Sequence, residues 1–126
     1  DALYGDSGND FISGGAGSNV LTGGWGADTF LFDQYFTETN NEIKEFAHGV
    51  DHIQISLAAW RLSAAPGFEN STHPTLDGPE LYYTAATHTL YYAPYGGSDD
   101  GSPYTAYAVA QLDNVSVLSK ADFQFI

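Results

Sequence analysis

With 43% apolar and 15% aromatic residues, the 126-residue chain is long enough to close one hydrophobic core. Its 16 acidic against 3 basic residues, a net charge of −13, exclude a nucleic-acid surface and leave either a solubilising acidic face or carboxylates arranged for a cation. With no cysteine, disulfides, thiolate metal sites and thiol nucleophiles are excluded, and no apolar run is long enough for a transmembrane segment.

The first residues, Asp1-Ala2-Leu3-Tyr4-Gly5, have neither the basic nor the apolar region of a signal peptide, and the missing Met points to a segment of a longer protein. From there the chain repeats. Asp1, Asp10, Asn19 and Asp28 stand on one nine-residue ladder. Between them lie three units, Gly5 to Ser13, Gly14 to Thr22 and Gly23 to Leu31, and a truncated fourth ends at Tyr4. Each has six Gly-rich residues suited to a tight turn, then three residues centred on one apolar side chain, Ile12, Leu21 or Phe30, suited to a short strand. A flexible linker is also rich in glycine but does not hold an acid and an apolar residue in register.

Two units make one full turn, which stacks Asp10 on Asp28 at about the 4.8 Å strand spacing. Carboxylates at that distance repel by roughly 3–4 kcal/mol at an effective dielectric of about 20. A divalent cation between them reverses the sign. The donors are carboxylates and turn carbonyls, a hard oxygen set that suits calcium and not zinc or copper.

The pattern G-G-x-G-x-D-x-U-x resembles the nonapeptide of repeats-in-toxin (RTX, hemolysin-type) proteins, a parallel β-roll found in secreted serralysin-type metalloproteases, toxins, lipases and alginate epimerases. The resemblance implies one ion held by Asp6, Gly8 and Asp10 with Gly23, Trp25 and Asp28 of the next coil. On the other edge it implies Asp1 with Gly14, Ala16 and Asn19. Gly15, Gly17 and Asn19, or Gly24, Gly26 and Asp28, would serve ions further along. Asn19 stands where the family has Asp, and Asp6 where it usually has a second Gly.

Past Phe32 the glycine period stops and short strands follow at Thr29 to Phe32, Asn41 to Phe46, His52 to Ser56, Leu81 to Thr84, Thr89 to Tyr92, Ala106 to Leu112 and Phe123 to Ile126. Turns at 85–88 and 96–101 suggest hairpins, and short helical pieces fit Ser56 to Arg61 and Ser119 to Asp122, where Ser119 would cap. The expected fold is all-β: a calcium-binding parallel β-roll over 1–31, then an antiparallel β-sandwich-like cap over 32–126, as one continuous unit. Asn41 to Phe46 with Gly49-Val50-Asp51, and the ending Asp122-Phe123-Gln124-Phe125-Ile126, also resemble the family. That ending is similar to an uncleaved signal for the bacterial type I secretion apparatus.

Other groups read more plainly. His48 and His52 have a turn-like rather than helical context, which disfavours zinc, and Asp99-Asp100 read as exposed acids of a turn. The sequence contains neither H-E-x-x-H nor G-x-S-x-G, so no enzyme is expected, and any catalytic domain would lie upstream. Nine tyrosines leave a polysaccharide-binding face open, though strand tyrosines are more often half-buried. The expected function is a secreted, calcium-triggered folding and type I secretion module. The alternative is an adhesion or polysaccharide-binding module of an extracellular protein.

Overall fold

The apolar residue at the centre of each repeat is what the fold buries. In a computed structural model describing residues 1–34, 40–97 and 105–126, successive units form β1 (Ala2–Tyr4), β2 (Phe11–Ser13), β3 (Val20–Thr22) and β4 (Thr29–Phe32). They alternate between two sheets. β1 pairs with β3 in parallel, Leu3 opposite Leu21, and β2 pairs with β4 in parallel, Ile12 opposite Phe30. The inward residues Ile12, Leu21 and Phe30 are buried and face one another across the roll.

Parallel winding continues past the last glycine repeat. β5 (Asn41–Lys44) adds to β3 with Ile43 opposite Leu21, and β6 (His52–Ile55) adds to β4 with Ile53 opposite Phe30. Residues 41–55 thus form a coil whose turns no longer follow the nonapeptide. The expected strand through Phe46 stops at Lys44 because Glu45 takes a left-handed φ of 61°. Phe46 instead turns inward and packs its ring 6.1 Å from that of Phe30.

Beyond the coils lie β7 (Gly67–Asn70), β8 (Glu80–Thr84), β9 (Thr89–Ala93), β10 (Tyr107–Leu112) and β11 (Phe123–Phe125). One sheet has seven strands in the order β1-β3-β5-β10-β9-β8-β7, and the other has four, β11-β6-β4-β2. The cap is antiparallel through β8, β9 and β10, while β10 joins β5, β7 joins β8 and β11 joins β6 in parallel. A single apolar cluster runs from Ile12 to Phe123 between the sheets.

Two expectations needed correction. Ser56 to Arg61 is a turn, not a helix: Trp60 N–H reaches Ser56 O, but Arg61 at φ 56° ends the progression. The strand β7 was not anticipated, since Gly67-Phe68-Glu69-Asn70 has one apolar side chain. Ser119 does precede a single 3-10 turn, Lys120–Asp122. Asp99 and Asp100 lie outside the described residues, as does most of the turn expected at 96–101.

Candidate metal centre

The Gly5 to Asp10 and Gly23 to Asp28 turns stack on one edge of the roll. Asp10 N–H donates to Asp28 Oδ1 (2.9 Å), and Asp28 N–H donates to Asp51 Oδ1 (2.9 Å). The three aspartates thus form a ladder in which the Asp28 and Asp51 carboxylates each accept the amide of the coil before. Asp51 spends both oxygens this way, since Ala47 N–H donates to Oδ2 (2.8 Å). Burial pushes its carboxyl above the ordinary range, with the neighbouring Asp28 charge acting in the same direction, against the pull of the Asp28 and Ala47 amides.

Asp10 and Asp28 are different. Their Oδ2 atoms are enclosed and have no hydrogen-bond partner among the described residues, and Asp28 is 0% exposed. An ionised carboxylate oxygen left so in the interior costs several kcal/mol unless a positive charge meets it. The surroundings supply further oxygens. A methyl carbon built on Gly5 would lie 2.6 Å from both Asp10 Oδ2 and Gly23 O, so oxygens of two coils converge there. One on Gly24 would collide with Asp6 O, and one on Gly26 with Gly8 O, so the second turn approaches the first as only glycine allows. Between the turns, Trp25 N–H donates to Asp6 O (2.8 Å) and Gly8 N–H to Trp25 O (2.9 Å). Orphaned carboxylate oxygens, convergent carbonyls and the lack of sulfur or imidazole fit a hard divalent cation of calcium's kind. The Trp25 ring, 84% exposed, takes no part.

The opposite edge has the same geometry and different chemistry. The Asp1 nitrogen donates to Asn19 Oδ1 (2.9 Å) and Asn19 N–H to Asn41 Oδ1 (3.1 Å), repeating the ladder with amides. Asn19 Nδ2 then donates to Asn41 Oδ1 (3.2 Å), Gly17 O (3.3 Å) and Gly15 O (3.4 Å). Its N–H groups therefore point at the turn carbonyls that a cation would use. Gly14 packs against the Asn19 side chain, and Ala16 is exposed at the turn's tip.

Sequence reasoning paired Asp10 with Asp28, and the structure brings them together. It did not place Asp51 or Asn41 in the ladders, because the spacings to Asp28 and Asn19 leave the nine-residue rule. The usable signal was the apolar register: Ile43 and Ile53 follow Asn41 and Asp51 by two residues, as Leu21 and Phe30 follow Asn19 and Asp28. His48 is drawn elsewhere, its Nδ1 2.6 Å from Asp122 Oδ2. Among the described residues no three His, Asp or Glu side chains cluster around a metal position.

Residues 1–33 match the family model of the RTX calcium-binding nonapeptide repeat, in four copies. No curated protein sequence matches the chain. Among solved structures, 98% of the chain aligns with 67% of the AlgE6R3 subunit from the Azotobacter vinelandii mannuronan C5-epimerase, at 26% identity and a TM-score of 0.56.

Proposed function

We propose that this all-β, calcium-binding RTX module is a calcium-triggered folding element of a larger secreted protein, with its ion between the turns carrying Asp10 and Asp28. The observation that carries the reading is the pair of enclosed, unpartnered Oδ2 atoms on those two residues. Asp6 and Gly8 on one coil, with Gly23 and Trp25 on the next, would add backbone carbonyls. Gly24 and Gly26 would serve a further ion with Asp28. The edge of Asp1, Gly14, Gly15, Ala16, Gly17 and Asn19 is the weaker position, because an ion there must displace the Asn19 amide from the Gly15 and Gly17 carbonyls.

Without the ion, the charge of −13 and the stacked carboxylates oppose closure of the roll. With it, binding and folding become one equilibrium. Such a chain would stay extended where calcium is scarce and fold where it is abundant, as export before folding requires. The ending Asp122 to Ile126 would be read by a type I apparatus at that earlier stage, since Phe123 is buried and its strand is paired with β6 once folded. On this reading the module performs no catalysis. Far-UV circular dichroism during a calcium titration tests it: the strand signal should appear with calcium and vanish in excess chelator. A fully folded chain in chelator contradicts it.

Polysaccharide attachment remains a second reading, favoured by one feature. The exposed Tyr95 and Arg61 and the half-buried Tyr107 border an open cleft over the buried Trp60 and Tyr92, a combination suited to an anionic sugar such as a uronan of the kind named for the structural neighbour. A glycan array read at constant calcium separates the two, because the folding reading expects no sugar-dependent signal.

A further inference from the structure

The strands β7 and β8 run parallel, yet only residues 71–79 connect them. Parallel neighbours ordinarily need a dozen or more residues for the return, so this loop must run back close against the strands. The register puts Glu80 opposite Gly67 and Tyr82 opposite Glu69. Glu69 and Glu80 therefore project from the same face of the sheet as diagonal neighbours.

The loop closes over both carboxylates. Leu76 N–H donates to Glu80 Oε1 (3.1 Å), and the Thr75 hydroxyl donates to Glu69 Oε2 (2.6 Å). Leu76 fills the space over Gly67, where an added methyl would come 2.8 Å from its Cδ1. Gly97 N–H holds the loop from outside through Leu76 O (2.9 Å), and Asp77 bridges to Gly96. As a result Glu80 is 0% exposed. Each carboxylate has one oxygen anchored by the loop. The others, Glu69 Oε1 and Glu80 Oε2, are enclosed without a hydrogen-bond partner among the described residues.

We propose that Glu69 and Glu80 hold a second calcium ion, with carbonyls of the 74–78 loop and water completing its shell. This site is independent of the nonapeptide turns and does not rest on their reading. A divalent cation meets both orphaned oxygens at once, and carboxylate with carbonyl is the donor set calcium takes. The rival occupant is a proton. Burial does push the Glu80 carboxyl above its ordinary range, with the Glu69 charge adding to the effect, against the pull of the nearby Leu76 and Thr75 amides. A proton shared between Glu80 Oε2 and Glu69 Oε1 would satisfy the same two oxygens, so the two occupants are separated by how much calcium the chain binds. Calcium here would fasten the crossover loop to the edge of the larger sheet.

The test is the number of calcium ions bound per chain at saturation, by equilibrium dialysis of the whole chain, for the parent and for Glu69→Gln and Glu80→Gln. Each variant should bind one ion fewer than the parent, or bind one of them at least ten-fold more weakly, while calcium-induced folding by circular dichroism persists. Glu69→Asp should keep the ion at reduced affinity. Should Glu80→Gln fail to fold, the less buried Glu69→Gln decides alone. Unchanged stoichiometry and affinity in Glu69→Gln overturn the proposal in favour of the proton, and leave the Asp10–Asp28 ion unaffected.

Discussion

Asn19 and Asp28 hold equivalent places in successive half-coils, and one change of functional group separates their chemistry. The amide of Asn19 donates to Gly15 O and Gly17 O, whereas Asp28 has only acceptors and leaves Oδ2 unmatched. At the lowest calcium that keeps the parent folded, Asn19→Asp should therefore be destabilising by about 2–3 kcal/mol, the scale of a lost pair of donors facing carbonyls. Further calcium should recover most of that loss, as read from urea midpoints at the two calcium levels. Asp28→Asn should do the reverse. It removes the carboxylate that the ion neutralises and so forfeits the calcium increment, about 2.7 kcal/mol at calcium one hundred times the dissociation constant, as read from the calcium dependence of the urea midpoint.

The buried carboxylates also respond to pH with opposite signs. Burial works to raise Asp122, but the Gly49 and Ser119 amides and His48 outweigh it, so its carboxyl lies below the ordinary value of 3.8. Its contribution is complete above 3.8 and is lost as pH falls through the lowered folded value. Asp51 and Glu80 lie above their ordinary values, so the folded form holds their protons more tightly than the unfolded one. Their favourable contribution is full below the ordinary values and is lost as pH rises through the raised ones. At constant calcium just sufficient for folding, the Asp51 contribution should thus grow on mild acidification from neutral, and that of Asp122 should be lost as pH falls through its lowered value. Urea titrations at stepped pH check this, and a monotonic profile would contradict the assignment.

At the level of elements, the repeat is a means of aligning one apolar side chain per strand. Phe30 sits where β2, β4 and β6 stack, buried between Ile12 and Ile53 in register and against Phe46. Phe30→Ala should cost about 3–5 kcal/mol by calcium-saturated denaturation, because strands on either side prevent collapse of the cavity. The same alignment explains the third coil. Parallel pairing needs only an apolar residue at the right register, so β5 and β6 continue the roll although their turns have lost the glycine pattern. What the turns lose is the cation geometry: Asp51 fills both its oxygens with amides, and Asn41 accepts from Asn19. The roll thus changes at this coil from a stack with unmatched oxygens to one closed by ordinary hydrogen bonds.

Over the whole molecule, the cap gives the roll a wall that it cannot make alone. Three-residue strands bury little, but β10 pairs with β5 and β11 with β6, so each sheet of the roll is continued by a strand from the second half. Calcium removal should consequently affect residues far from the turns. If the sheets unfold together, near-ultraviolet circular dichroism from the buried Trp60 and Tyr83 should collapse in chelator along with the strand signal. A cap signal that survived would show that the cap folds independently of the ion.

The nonapeptide repeat and its resemblance to the RTX pattern made the all-β roll, the inward positions Ile12, Leu21 and Phe30, and the stacking of Asp10 on Asp28 legible in the sequence. These follow because a repeat translates along the chain and along the stack by the same rule. Tertiary structure decided the rest: that Asn41 and Asp51 extend the ladders, that Asn19 turns its amide onto the turn carbonyls, that β7 exists, and that its return loop hydrogen-bonds both Glu69 and Glu80. Each of those depends on which strand lies beside which, and pairings between distant segments leave no period in the sequence to read.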